Sequence, residues 1–318
     1  METYLTKEEK AELRKANDLK AWAGFATSWG LIAAAMAMVA MWSNPLTIIL
    51  ALVIIGGRQL ALGILLHECS HRSWFCSQAM NDWVGHWLAG IPMLVPMDFY
   101  RPYHFAHHTK TGTDDDPDVD NIRHYPVSKN SFRRKLLRDF TGQSGIKTLL
   151  AVLFFVNTGR VGNARAMGKQ TRQLSKKDML KTTLKNYRDI LIVHGFFFVL
   201  LWSLGQPLLY LLWWVAFLIP YQWISRIRQV GEHGAMPQLS GDDVRLTTRT
   251  TVARWWERLL FAPHYVNYHC EHHLVPTVPS YNLGRLHQLV KARGFYQEYP
   301  DALAHGYGEV IRKATTTC

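Results

Sequence analysis

Residues 21–66 read AWAGFATSWG LIAAAMAMVA MWSNPLTIIL ALVIIGGRQL ALGILL, and Arg58 is the one charged side chain in these 46 residues. A bilayer core takes about 20 apolar residues per helix, so the run is long enough for two spans. Trp42-Ser43-Asn44-Pro45 breaks it near the middle. Pro45 suits the first turn of a returning helix, where a missing N–H costs little. The run is therefore expected to be a helical hairpin with spans at 21–42 and 46–66. A second run, residues 190–225, contains no Asp, Glu, Lys or Arg and is broken at Gly205-Gln206-Pro207, giving spans at 190–204 and 207–225. Soluble buried hairpins are the alternative, but two of them rarely avoid charge so completely. The expected fold class is all-α integral membrane, with four transmembrane helices arranged as two hairpins.

Outside these runs the chain is charged. Lys and Arg number 36 against 24 Asp and Glu, a net +12 in 318 residues. The hairpin turns hold no Lys or Arg, whereas Lys7, Lys10, Arg14, Lys15 and Lys20 precede the first run and the segments between and after the runs are basic. By the positive-inside rule both termini and the central segment face the cytoplasm. Residues 67–189 and 226–318 then form a helical cap on that face, and the whole of 1–318 reads as one membrane domain. Residues 83–97 and 146–156 are apolar but too short to cross. The mixed Glu and Lys of residues 1–20 suggest an interfacial helix and not a cleavable signal peptide. Basicity alone could indicate nucleic acid; the charge here flanks spans and no nucleic-acid motif accompanies it, so no nucleic-acid partner is expected. The four cysteines form no CxxC pair and fall on the expected cytosolic side, where disulfides are not expected.

Eight of the 15 histidines fall in three clusters: His67 and His71; His104, His107 and His108; His269, His272 and His273. The offsets i, i+3 and i+4 lie on one helix face, so each cluster aims its imidazoles at one point. Chance gives roughly 0.03 HxxHH matches in a chain of this composition, against two here. Imidazole suits iron, zinc, copper and nickel. One zinc takes three or four protein ligands, and eight histidines exceed that, which fits two metals; iron is the preferred choice. Cys69 and Cys270 point off the ligand faces. Glu68 and Glu271 are candidates to accept imidazole N–H groups and fix ring orientation.

In this order and spacing, HxxxH, HxxHH, HxxHH, the chain resembles the membrane fatty acid desaturases. Asp114-Asp115-Asp116-Pro117-Asp118 after the second box, and Leu274-Val275-Pro276 with Pro279-Ser280-Tyr281-Asn282-Leu283 after the third, are similar to the family's continuation. The resemblance implies a ninth ligand after the last span, and His233 occupies that place. Asn267 is a further candidate, to support a ligand or to reach a metal through water, and Asp114, Asp115, Asp116 and Asp118 are candidates to support a ligand or cap a turn. His86, His194 and His264 are expected to be structural, and His124, His287 and His305 solvated or cap-forming. Arg58 is expected to pair with a polar group below the site or to line the substrate path.

The resemblance also implies the activity: a di-iron oxidoreductase introducing a double bond into a fatty acyl chain with O2 and external electrons. Hydroxylases and ketolases share these boxes, and a small amphipathic precursor could replace the acyl chain. A histidine-rich metal transporter would need polar ligands near mid-membrane, where only Arg58 and His194 stand; a membrane zinc hydrolase is the other rival. The chain shows no nucleotide, flavin, iron–sulfur or haem motif, so electrons are expected from a separate ferredoxin or small haem protein. The basic cytosolic face would steer such an acidic donor, or simply hold anionic headgroups.

Overall fold

The first apolar run folds as two antiparallel helices. In the computed structural model, which describes residues 4–158 and 175–316, a short helix α1 (Lys7–Leu13) precedes them. Helix α2 (Asp18–Met41) starts where the Asn17 side chain accepts the Lys20 N–H, and it ends at Trp42. Helix α3 (Pro45–Ser70) begins with Pro45 and a reciprocal cap, Asn44 accepting from Leu46 and Thr47 while Thr47 returns to the Asn44 N–H. Such a cap satisfies donors that the first turn would otherwise leave open. These two helices are long and apolar enough to cross a membrane. At 1.5 Å per residue, α3 is about 39 Å long, and almost every residue from Ile55 to Ser70 is buried. It is the axis on which the other elements pack.

The second apolar run departs from expectation. Residues 190–203 are the last half of a 28-residue helix; with α4 (Gln78–Val84), α5 (Met97–Lys110), α6 (Val119–Ile122), α7 (Lys129–Phe140) and α8 (Gln143–Thr158) before it, this is α9 (Lys176–Ser203). Gly205 supplies the positive φ of the following turn, 73°. The expected helix over 207–225 is instead two, α10 (Leu209–Leu218) and α11 (Pro220–His233). Ile219 leaves the helical region (φ −120°, ψ −79°) because Pro220 disfavours an α conformation before it and donates no N–H. The bend is accommodated at Gly56 of α3: a Cβ there would lie 2.9 Å from the Tyr221 nitrogen and 3.0 Å from Pro220. From this bend α11 runs on to deliver His233.

The short apolar segment after α4 stays within the protein. It continues as a π-helical turn (Gly85–Gly90) and a 3-10 turn (Ile91–Met93), packed against α3. His86 of this segment contacts Asp189 of α9 at 3.2 Å, and His194 contacts the Tyr210 hydroxyl at 3.1 Å; both tie helices together. The C-terminal part adds α12 (Val244–Thr247), α13 (Trp255–Leu260), α14 (His269–Leu274), α15 (Ser280–Ala292) and α16 (Tyr307–Ala314). The two-residue parallel strand pair Val127–Ser128 with Thr315–Thr316 tethers it to the rest, and a second, Thr250–Thr251 with Leu303–Ala304, joins it internally. Helix α1 and the preceding Leu5 dock on α15 through Leu5, Leu13, Leu286 and Val290, with Glu9 paired at 2.7 Å to Arg293, the C-terminal cap of α15. Residues 160–174, part of the basic segment between the two apolar runs, lie outside the described residues.

Candidate metal centre

Helix ends deliver most of the ligand candidates. His67 lies on the last turn of α3 and His71 is its C-terminal cap. His104, His107 and His108 lie on the last two turns of α5, His233 ends α11, and α14 consists of the third box and Leu274. The nine rings gather into two adjoining groups and not at one point. His67, His71, His104, His108 and His272 form one; His107, His233, His269 and His273 form the other; within each, the ring nitrogens lie within 4.8 Å of one another. Each HxxHH box straddles both groups. Its i, i+4 pair stays together while the remaining histidine crosses, so His107 leaves the second box's pair and His272 the third's. The groups touch where the His108 and His273 ring centroids are 4.3 Å apart.

Within the first group, Nε2 atoms face one another: His71 and His104 at 2.8 Å, His104 and His108 at 3.0 Å, His108 and His272 at 3.0 Å. In the second, His233 and His269 are 2.8 Å apart and His269 and His273 3.1 Å. Among the described residues the buried His67 Nε2 has no hydrogen-bond partner. Buried polar atoms are seldom left so, and a metal ion would complete it. All-imidazole donors in two adjoining groups fit transition-metal ions. Burial holds His104, His269, His272 and His273 well below the usual imidazole range, and it holds His71 at about 4, His233 at about 3 and His108 at about 2. The rings are thus neutral, the form that ligates metal. At His107 burial also opposes charge, but the Asp116 hydrogen bond and the Asp118 charge outweigh it and raise the pKa.

Three rings are held by Nδ1, which turns Nε2 inward. His67 Nδ1 donates to Glu68 at 3.0 Å, His107 Nδ1 to Asp116 at 2.9 Å, and His233 Nδ1 to the Thr247 carbonyl at 3.0 Å. Such tethers fix tautomer and ring angle. Glu68 also accepts the Ser280 N–H at 2.7 Å, joining the first box to α15.

Several expectations are corrected here. Asp114 does not support a ligand: it is exposed and pairs with Arg123 at 2.9 Å. Two residues along, Asp116 is fully buried, contacts His107 and also accepts the Gly112 and Asp118 N–H groups. Asp118 stands 3.8 Å from His107 Nδ1 and accepts the Tyr103 hydroxyl at 2.5 Å. Glu271 faces away from the rings of its own box and accepts from Thr250, Tyr296 and His287. His287 is accordingly buried, not solvated, 2.5 Å from Glu271. Asn267 is buried and donates to the Thr251 carbonyl at 2.9 Å, while its Oδ1 has no partner. Glu232 is a further acceptor in the centre, and its position beside His233 mirrors that of Glu68 beside His67. Glu232 is buried 3.7 Å from His269 Nδ1 and ion-paired with Arg228 at 2.6 Å; burial lifts its carboxyl to about 7.

The sequence profile of the family described as Fatty acid desaturase matches residues 43–306. The chain belongs to the fatty acid desaturase family. It is 26% identical over 253 residues to an sn-1 acyl-lipid omega-3 desaturase (ferredoxin) of Synechocystis sp., covering 76% of this chain and 67% of that relative. It is 27% identical to an sn-1 oleoyl-lipid 12-desaturase of Anabaena variabilis, covering 86% and 76%. A chloroplastic omega-6 fatty acid desaturase of Spinacia oleracea is 24% identical over 95% of this chain and 65% of its own length. Membership of this family makes the protein an oxidoreductase, and its histidine groups a metal site.

Proposed function

We propose that the chain is an integral-membrane acyl-lipid desaturase holding two iron ions, one in each histidine group. The observation that carries this reading is the gathering of nine histidines, from four separate helices, into two adjoining groups. Iron bound there would supply the oxidation of an unactivated methylene, chemistry that acid–base side chains lack. The balance is one –CH2–CH2– unit, O2, two electrons and two protons giving one –CH=CH– unit and two waters.

The protein's share is holding and orienting. Glu68, Asp116 and the Thr247 carbonyl hold His67, His107 and His233 by Nδ1, and the buried surroundings keep the other rings neutral. Four spans are proposed: α2, α3, the apolar end of α9, and α10 continuing into α11. The uncharged turns at 42–45 and 204–208 lie outside, and the histidine groups and both termini lie on the cytosolic side. Electrons come from a separate donor of ferredoxin type, the kind named for the Synechocystis relative.

Lipid profiling by mass spectrometry tests the reading, in a host expressing the wild type beside His107→Ala. New unsaturated acyl chains with the wild type alone support it. Hydroxylated chains, or no acyl product from iron-loaded protein with donor, overturn it. Reporter fusions near Lys15, Arg134 and Arg312 should read cytosolic, and fusions at Ser43 and Gly205 external.

A further inference from the structure

Arg58 plays no part in the metal centre. It sits on α3 nine residues before His67, about 13.5 Å along the axis. Its side chain is only 4% exposed. One Nη donates to the Leu259 carbonyl, and the buried Nε has no partner among the described residues. A guanidinium stays charged, and a buried charge is costly unless paired. Among the described residues no carboxylate pairs with it.

Arg58 lines a cleft of about 730 Å³ bounded by the first turns of α2, the middle of α3 and residues 255–265. That volume is in the usual range for a ligand site. Lys20 and Arg258 line the same cleft, and among the described residues its wall contains no Asp or Glu. These two cations lie over aromatic rings, Lys20 5.4 Å from Tyr281 and Arg258 5.9 Å from Tyr265. Trp255 and Tyr265 stand at the wall 79% and 42% exposed. Three cations thus face one cavity with no counter-charge in it.

We propose that this cleft holds the net-anionic, phosphate-bearing headgroup of a bilayer lipid. The phosphate would complete the hydrogen bonding of Arg58 by the paired N–H geometry that guanidinium offers. A lipid fits better than a soluble anion because the deepest cation sits on a helix apolar enough to span, and exposed Trp and Tyr rings favour the membrane interface. Basic side chains at that level attract anionic headgroups. The inference rests on the membrane placement proposed above.

The test uses the purified full chain in neutral detergent, with phosphatidylglycerol, phosphatidylcholine or inorganic phosphate added and the thermal midpoint followed. Phosphatidylglycerol should raise the midpoint saturably, while the other two leave it unchanged. The double variant Lys20→Gln, Arg258→Gln, at exposed positions that leave the fold intact, should weaken the phosphatidylglycerol response about tenfold. Arg58→Gln should weaken it further. An equal response to phosphatidylcholine, or an unaltered response in the double variant, overturns the proposal; a response to inorganic phosphate shows a free-anion site and overturns the lipid assignment. Membrane placement is read separately by alkaline extraction. A chain that resists extraction yet shows no preference for phosphatidylglycerol sinks this inference alone, and a chain released by it sinks the placement.

Discussion

The two histidine groups are built from the same boxes but held in different ways. The five-ring group is anchored close to home: His67 is fixed by Glu68, its neighbour on α3, and His104 and His108 share one turn of α5. The four-ring group is anchored from a distance. His107 is held by Asp116 in the loop after α5, His233 by the carbonyl of Thr247, fourteen residues on, and His269 faces Glu232 on another helix. Behind α14, which feeds both groups, Glu271 collects donors from Thr250, His287 and Tyr296. One group depends chiefly on helix geometry and the other on loops being in place. Damage to the cap should therefore reach the second group first.

The largest effect should break the distinction. His67→Ala in the first group and His273→Ala in the second are both expected to lose turnover and to retain less metal than the wild type, by metal analysis of purified protein. If either variant keeps full activity, the groups are not two halves of one centre. Next comes Glu271→Ala. It leaves buried donors on His287, Tyr296 and Thr250 unmatched, so about 3 kcal/mol of stability should disappear, seen as a lower melting midpoint, with iron lost from the second group before the first.

Asp116→Asn sharpens the contrast. It keeps the shape of the side chain but removes the charge that holds His107, and outer partners of metal ligands typically affect affinity or activity by 10–100-fold. Metal content should fall to about half that of the wild type, and the melting midpoint should drop as well, because the amide NH2 faces a donor where the carboxylate accepted. An unchanged metal content would show that His107 needs no tether.

The smallest effect concerns His264, whose ring centroid lies 5.9 Å from that of Trp74. Burial, aided by the Arg58 charge, lowers its pKa to about 3, and its Nε2 contacts the Ser28 hydroxyl at 2.9 Å. Lys20 and Arg258 line the same cleft. The folded pKa lies below the unfolded value near 6.5, so the unfolded chain binds the extra proton and stability is lost as pH falls through 6.5 towards 3. Between pH 7.5 and 5.5 the wild type should lose about 1 kcal/mol more than His264→Gln, measured by denaturant titration. Equal losses would mean the ring is charged in the folded state.

Much of this was legible in the chain. The cap at Asn44-Pro45, the uninterrupted apolar residues of α3 and the spacing of the boxes are local signals, and local sterics and hydrogen bonding act on them directly. Ile219-Pro220 was legible too, because proline's effect on its predecessor is local, yet the uncharged run around it masked the break. Asp116 was one of four aspartates in a five-residue run, and composition does not say which faces inward. Glu232, by contrast, carried a usable signal in its position beside His233.

The sequence by itself determined that eight histidines would lie in three sets, each on one helix face, since 3.6 residues per turn places i, i+3 and i+4 together whatever the surroundings; the ninth, His233, was indicated only by the resemblance. Tertiary structure alone decided that the rings form two groups, that each HxxHH box contributes to both, and that Glu271 serves His287 instead of its own box. Helical periodicity puts side chains on a common face, but which neighbour each one meets depends on the distance and crossing of other helices. Those are set by packing against α3, through contacts such as Gly56 on Pro220 that join residues far apart in the chain.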